Sequence, residues 1–372
     1  MLNSNSNEQL YQIALTMLPN VGDVLAKNLI AYCGSPEAVF KTSKSKLEKI
    51  PMVGKERAEG IANADVLKEA EKELKFVADY KIKTLFFTDT DYPQRLKNCN
   101  DSPVLLYYKG NADLNAEKIV AIVGTRNITA YGKEMTKKLV AELSAQDILI
   151  VSGLAYGIDI TSHNAALEHN LKTVGVLAHG LNTIYPAQHK PVAKKMVEQG
   201  GLLTEYTSSH EMHPSNFPNR NRIVAGISDA IVVVESAIKG GAVLTANIAN
   251  SYNKDVFACP GKTTDKLSAG CNFLIKTFKA KMIESADDLL MEMNWVQKEQ
   301  NGKSKKQQRQ LALTLNEEEQ KIYNALNEKS ELAIDELASH TEMNASSLAS
   351  TLLEMEMNSI LVSLPGKRYK LV

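Results

Sequence analysis

The run Ile119-Val120-Ala121-Ile122-Val123-Gly124-Thr125-Arg126 is a β-branched apolar stretch that stops at a glycine, a hydroxyl and a cation. A run this short and this apolar, with turn residues behind it, fits a strand buried on both faces. Outward from it the pattern repeats. Strands are expected at 119–123, 148–151, 173–177, 201–204, 230–234 and 255–258. Helices are expected between them at about 130–145, 158–169, 190–199, 218–227 and 242–252. Short β-branched runs alternating with helices imply parallel strands joined by right-handed crossovers. The expected fold class is α/β, a doubly wound and mostly parallel sheet. Ligands in such sheets sit at the carboxyl ends of strands.

Those strand ends are rich in glycine and cations. Gly124-Thr125-Arg126 offers backbone N–H groups, a hydroxyl and a guanidinium to a phosphate. It is not the dinucleotide fingerprint, because no G-x-G-x-x-G follows and no acidic residue closes the second strand. That second strand runs into Ser152-Gly153-Leu154-Ala155-Tyr156-Gly157-Ile158-Asp159, a further backbone cradle before a helix. Read alone, each loop is either a phosphate cradle or a turn that needs glycine; side by side they favour the phosphate site. Arg220, Asn221 and Arg222 crowd another helix start, where cations oppose the helix dipole. They are either paired with carboxylates or open to an anion. Lys239-Gly240-Gly241-Ala242 is a third glycine turn with a cation.

Other motifs carry less. Pro260-Gly261-Lys262-Thr263 looks like half a P-loop, but Val256 stands where a Walker A glycine is required. His210 and His213 lie in a loop with no third ligand, so no metal site is expected. Asp159 and His163 share a helix face at i,i+4 spacing, which suits a helix cap and a buried histidine better than a catalytic pair.

Composition bounds the rest. The chain has 372 residues, 44% hydrophobic and 23% charged, as expected for a folded protein of two to three domains. No apolar run reaches the ~18 residues of a membrane span. The first ten residues carry no secretory signal pattern. Cys33, Cys99, Cys259 and Cys271 are scattered, which fits a reducing cytoplasm. Lys+Arg and Asp+Glu both number 43, so any nucleic-acid surface must come from local placement of charge.

Four segments are expected. Residues 1–115 repeat apolar-Pro-x-Val-Gly-x-x-x-Ala, at Leu18-Pro19-Asn20-Val21-Gly22 with Ala26 and at Ile50-Pro51-Met52-Val53-Gly54 with Ala58. This reads as two helix-hairpin-helix units, with glycine freeing the backbone before the second helix. Their helix starts suit phosphate, but Asp23 and Glu56 stand where phosphate would come, so packing is the favoured role. Residues 116–293 hold the sheet. Residues 294–315 carry Lys298, Lys303, Lys305, Lys306 and Arg309 against one glutamate, a basic linker. Residues 316–372 hold 5 basic and 10 acidic groups. Three helices and a hairpin there form a winged helix, opened by an Asn316/Glu319 capping box. Its third helix, 344–357, has no lysine or arginine, which argues for protein contact over sequence reading.

Six ordered motifs resemble one bacterial family. They are Ile122-Val123-Gly124-Thr125-Arg126 with Tyr131-Gly132; Ser152 to Asp159 with His163; Tyr185-Pro186; Phe217-Pro218-Asn219-Arg220-Asn221-Arg222-Ile223; Cys259-Pro260-Gly261; and Gly270-Cys271-Asn272-Phe273-Leu274-Ile275. Together they resemble the DNA-processing protein A family, DprA or Smf, over about 118–292. The resemblance implies a Rossmann-like core between an N-terminal helix-hairpin-helix (SAM-like) domain and a C-terminal winged-helix domain. It implies a non-catalytic recombination mediator, with no cofactor, that binds single-stranded DNA during natural transformation, protects it and loads RecA onto it. It also implies a homodimer through the Rossmann-like domain. Carried over residue by residue, the DNA pocket uses Gly124, Thr125, Arg126, Ser152, Gly153, Lys190, Arg220, Asn221 and Arg222, and Lys239 stands in the family's Ser-Gly-Ser turn. Tyr156 stands where the family often has arginine, which trades a cation for a stacking surface. The rival is a nucleotide-binding hydrolase on a similar sheet, with Asp159 or Glu235 as general base.

Overall fold

A computed structural model describes residues 4–295, 315–329, 331–358, 360–364 and 367–371. The chain divides into two compact units, Met1–Val296 and Gln297–Val372.

The first unit is organised by a nine-stranded sheet. Its strands are β1 (Lys83–Phe86), β2 (Leu105–Gly110), β3 (Lys118–Val123), β4 (Ile148–Ser152), β5 (Thr173–Val176), β6 (Gly200–Thr204), β7 (Ala230–Val233), β8 (Asp255–Ala258) and β9 (Lys281–Met282). They lie in the order β1-β2-β6-β5-β4-β3-β7-β8-β9. From β6 to β9 every neighbour is parallel, while β1–β2 and β2–β6 are antiparallel. The chain winds outward from β3 to β6, then returns to place β7 on the other side of β3. The loops after β3 and β7 therefore diverge and leave a crevice between them.

Side-chain alternation along β3 shows why both faces must be covered. Val120 and Ile122 pack against Leu139, Val140, Ile158 and Ala165, from helices Ala130–Leu143 and Ile158–Glu168. Ile119, Ala121 and Val123 pack against Ile223, Ile227, Ala242 and Ala246, from helices Asn216–Ile227 and Gly241–Ser251. Ile122 is fully buried, and cutting it to alanine would cost about 2–5 kcal/mol.

The hairpins form as expected, but with a different backbone device. Leu18–Gly22 joins helix Ser4–Thr16 to helix Asp23–Cys33, and Ile50–Gly54 joins Lys44–Leu47 to Gly54–Ala62. The left-handed residue common to both turns is the third of the motif, Asn20 (φ 57°) and Met52 (φ 70°). Gly22 keeps an ordinary φ of −89°, whereas Gly54 is left-handed at 62°. The reversal thus precedes the glycine. Asp23 accepts a hydrogen bond from the Val104 N–H (2.9 Å), which docks the first hairpin beside β2. Leu10, Ile13 and Leu29 share a core with Phe86, Leu105 and Tyr107 of β1 and β2.

The second unit is a winged helix. Helices Glu317–Lys329, Ile334–Thr341 and Ala345–Met357 accompany β10 (Leu332–Ala333), β11 (Leu361–Leu364) and β12 (Arg368–Leu371), in the sheet order β10-β12-β11. Ile322, Leu326, Leu337, Leu352 and Leu361 form its core. The capping box is present: the Asn316 N–H donates to Glu319 (2.8 Å) and the Glu319 N–H donates to Asn316 (2.9 Å). The third helix leaves Leu353 and Met357 exposed. The five linker cations, Lys298 to Arg309, lie outside the described residues.

Candidate functional site

The loop after β3 is fixed by its neighbours before any ligand arrives. The Thr125 N–H donates to the Glu235 carbonyl (2.7 Å), and the Ile158 N–H donates to the Thr125 carbonyl (3.2 Å). The buried Glu235 carboxylate accepts from the Thr129 N–H (3.0 Å) and the Thr129 hydroxyl (2.6 Å). Thr129 in turn caps helix Ala130–Leu143 by accepting from the Gly132 N–H (3.1 Å). Gly157 has a φ of 80°, and a Cβ there would lie 2.1 Å from the Thr125 carbonyl oxygen. Only glycine permits that approach.

The crevice opens as a cleft of about 280 Å³. The β3 loop from Val123 to Asn127 forms one wall, and Ser236, Ala237 and Gly240 to Ala242 form the other. Gly153, Ala155, Asp159, Arg220, Asn221, Val224 and Thr245 complete it. The first N–H groups of a helix have no intrahelical partner, so the start of Gly241–Ser251 brings donors to this cleft. A smaller pocket adjoins it through Arg126, Gly153 and Ala155, lined also by Tyr156, Tyr185, Pro186 and Phe217.

The two cleft arginines differ. Arg126 is exposed, with its guanidinium 5.3 Å from the centre of the Phe217 ring. Arg220 is buried and donates to the carbonyls of Gly153 and Val176. A Cβ on Gly153 would lie 2.3 Å from that guanidinium. Burial disfavours the charge on Arg220, and the Asp159 carboxylate beside it offsets part of that cost. Burial likewise pushes the Asp159 carboxyl up, against the pull of Arg220.

Gly124, Thr125, Arg126, Gly153, Arg220 and Asn221 thus line one cleft. Lys239 is exposed and directly precedes Gly240 of the lining. Lys190 is exposed at the start of helix Lys190–Gln199. It follows the turn Ala187–His189, where Gln188 accepts from the Tyr156 hydroxyl (3.0 Å). Ser152 does not reach the cleft surface: it is fully buried and its hydroxyl donates to the Ile122 carbonyl (2.6 Å). Arg222 is held elsewhere, donating to Glu205, to Asp23 (3.1 Å) and to the Asp101 carbonyl. Nor do Asp159 and His163 form a pair. His163 is fully buried with its Nδ1 on the Thr173 hydroxyl (2.7 Å), and burial with the Arg220 charge pulls its pKa down to about 3. Sequence reasoning did not put Asn127, Ser236 or Ala237 in the site. The signal for the last two is topological, since β7 pairs with β3.

Comparison with known proteins follows the same lines. A family model described as DNA recombination-mediator protein A matches residues 83–294, and one described as the DprA winged helix domain matches 306–367. The chain belongs to the DNA recombination-mediator protein A family. The family region begins at β1, so the antiparallel strands belong to it and the hairpin helices precede it. The Smf protein of Synechocystis is 33% identical over 308 residues, which cover 81% of this chain and 76% of that protein. The DNA processing protein DprA of Streptococcus pneumoniae is 37% identical over 215 residues, covering 58% of this chain and 76% of that one. The X-ray structure of DprA from S. pneumoniae superposes with a TM-score of 0.66 at 31% identity, over 78% of this chain and 99% of that one. DNA processing protein A from Helicobacter pylori, whose structure addresses its single-stranded DNA binding mode, gives a TM-score of 0.53 at 30% identity. That match covers 58% of this chain and 96% of that one.

Proposed function

We propose that this chain binds single-stranded DNA in the strand-end cleft, protects it, and loads the RecA recombinase onto it during natural transformation. The observation that supports this most is Arg126. It is an exposed guanidinium on a rigid glycine loop, and among the described residues it rests on an aromatic ring rather than on a carboxylate. Such a group is free to take a phosphate in a bidentate fork. Buried Arg220 adds positive potential from below, and the helix start at Gly241 adds N–H donors. Tyr156 and Tyr185 are 41% and 48% exposed beside Arg126, where unstacked bases can lie on them. Stacking of about 1–3 kcal/mol per base favours a single strand over a duplex, whose bases are already stacked.

The role is binding, without catalysis, metal or cofactor. Both carboxylates that a hydrolase would recruit are engaged: Glu235 organises Thr129, and Asp159 is buried against Arg220. The protein acts as a homodimer through the sheet domain. β9 ends the sheet, and the adjacent Phe278 is 96% exposed with Met282 at 55%, an apolar edge suited to a second copy. It works in the cytoplasm, in keeping with four free cysteines. No helix among the described residues is long and apolar enough to cross a membrane.

The test is binding of a fluorescent single strand of ~35 nucleotides, and of its duplex, across a salt series. The reading requires tighter single-strand binding that weakens with salt, and faster RecA assembly on strands precoated with a single-strand-binding protein. Equal affinity for duplex would overturn the single-strand role. Unchanged RecA assembly would remove the mediator step and leave DNA binding alone.

A further inference from the structure

We propose that the bound strand leaves the cleft across the loop 259–268, where Lys262 and Lys266 take further phosphates. This rests on the single-strand reading above and extends its footprint to residues outside the cleft.

Topology supplies the path. In a parallel sheet the loops at the carboxyl ends of successive strands share one edge. β8 pairs with β7, and β7 pairs with β3. At about 4.8 Å per strand, the loop after β8 starts about 10 Å from the loop that carries Arg126. Hydrogen bonds also anchor the loop after β8 and the helix that follows it to elements around the cleft. The Tyr131 hydroxyl donates to the Pro260 carbonyl (2.5 Å). The Gly270 N–H donates to the carbonyl of Ser236, a residue of the cleft wall (2.7 Å).

The loop itself is built to present cations. Asn272 donates to the Gly261 carbonyl (2.9 Å) and accepts from the Gly261 N–H (3.2 Å), which fixes the base of the loop. The one carboxylate in it, Asp265, accepts from the Leu267 N–H (3.2 Å) and the Ser268 hydroxyl (3.4 Å). It is spent on the loop's own turn. Lys262 and Lys266 are exposed, and among the described residues neither has a carboxylate partner. Thr263 and Thr264, also exposed, add hydroxyl donors.

The opposite edge of the sheet shows the contrast. There Asp229 pairs with Arg95 (2.5 Å), and Asp255 at the start of β8 faces Lys281 (3.7 Å). Arg95 and Lys281 at that edge are paired within the fold, whereas Lys262 and Lys266 after the carboxyl end of β8 are left open. A polyanion that enters at Arg126 meets uncompensated charge in the direction of β8. Pro260-Gly261-Lys262-Thr263 fails as a nucleotide-binding P-loop, and this gives its lysine a phosphate of another kind.

The test uses the full chain, with Lys262→Ala/Lys266→Ala and Arg126→Ala as variants. Each is titrated with a trinucleotide, whose two bridging phosphates span less than the ~10 Å to the loop, and with a strand of about 16 nucleotides, within the range of single-strand grooves. Two lost phosphate contacts should lower the salt slope on the long strand by about 1.4. Short-strand affinity should stay at the wild-type value, and Lys262→Arg/Lys266→Arg should restore the slope. Arg126→Ala should weaken both strands. An unchanged long-strand slope in the lysine variant, with Arg126→Ala weakened, overturns the extended path and leaves the cleft standing. Equal losses on both strands would place the lysines in the cleft itself and also overturn the path. Wild-type binding by Arg126→Ala would instead remove the parent reading. Sedimentation of each variant, expected to match wild type, separates loss of contact from loss of assembly.

Discussion

The strand-end cleft around Arg126 and the hairpin cleft around Arg222 are made of similar parts. They measure about 280 and 270 Å³, and each sets an arginine beside a glycine turn and a helix start. Their electrostatics are opposite. Arg222 meets Glu205, Asp23 and the Asp101 carbonyl within the fold. Burial opposes its charge, but the carboxylates of Glu205, Asp23 and Asp101 outweigh that and hold its pKa above the usual value. Burial in turn pushes the Glu205 carboxyl up, against the pull of Arg222. Arg126 has an aromatic face and no built-in counter-charge among the described residues. An arginine in a cleft marks a ligand site when its anion is missing, and marks architecture when its anion is supplied by the chain.

The largest effect should come from breaking the architectural side. Arg222→Ala removes the cation from the largely buried Glu205 and one partner from the part-exposed Asp23, and stability in denaturant titrations should fall by about 3 kcal/mol, the low end for a broken buried pair. The folded fraction should keep its single-strand affinity. A stable Arg222→Ala that no longer binds DNA would reverse the two clefts. Next is Arg126→Ala, which should cost about 1–3 kcal/mol of single-strand affinity. Its unfolding free energy should stay within about 0.5 kcal/mol of wild type, as for other surface changes.

The buried charge under the first cleft predicts a pH effect. Burial and Arg220 lower the His163 pKa from 6.5 to about 3. The unfolded chain takes up this proton near 6.5, and the folded chain resists it until about 3. The associated stability is complete above pH 6.5 and is lost as pH falls toward 3. Thermal melts of His163→Gln should therefore show a flatter acid limb than wild type. An identical limb would mean that the folded protein accommodates the proton. The smallest effect belongs to the second unit: removing residues 316–372 should leave most of the single-strand affinity, because its third helix carries no cation.

The parallel strands were legible because they are short apolar runs, mostly β-branched, that alternate with helical stretches. Their observed ends agree with the expected ones to within a residue, as at β3 (Lys118–Val123) and β8 (Asp255–Ala258). β1 and β2 were not separated from the helical segment: Leu105 to Tyr108 is an apolar run like β3, but it carries no β-branched residue to mark it as a strand. β9 is two residues long and has no period to read. At the site, Gly124 to Arg126 could be read from chemistry alone. The fate of Arg222 was also written in the spacing: residues two apart on a helix do not share a face, so Arg220 and Arg222 could not both turn into one cleft. What remained hidden was the partner. Glu205 comes from the end of β6, and Asp23 is brought to Arg222 only by the packing of the first hairpin beside β2.

The most direct test is hydrogen exchange of the full chain with and without a saturating single-stranded oligonucleotide. The account predicts added protection of backbone amides at 124–129, 153–157 and 240–242, and none at the hairpin turns 18–22 and 50–54. Protection confined to the hairpins, with the strand-end loops unchanged, would contradict it.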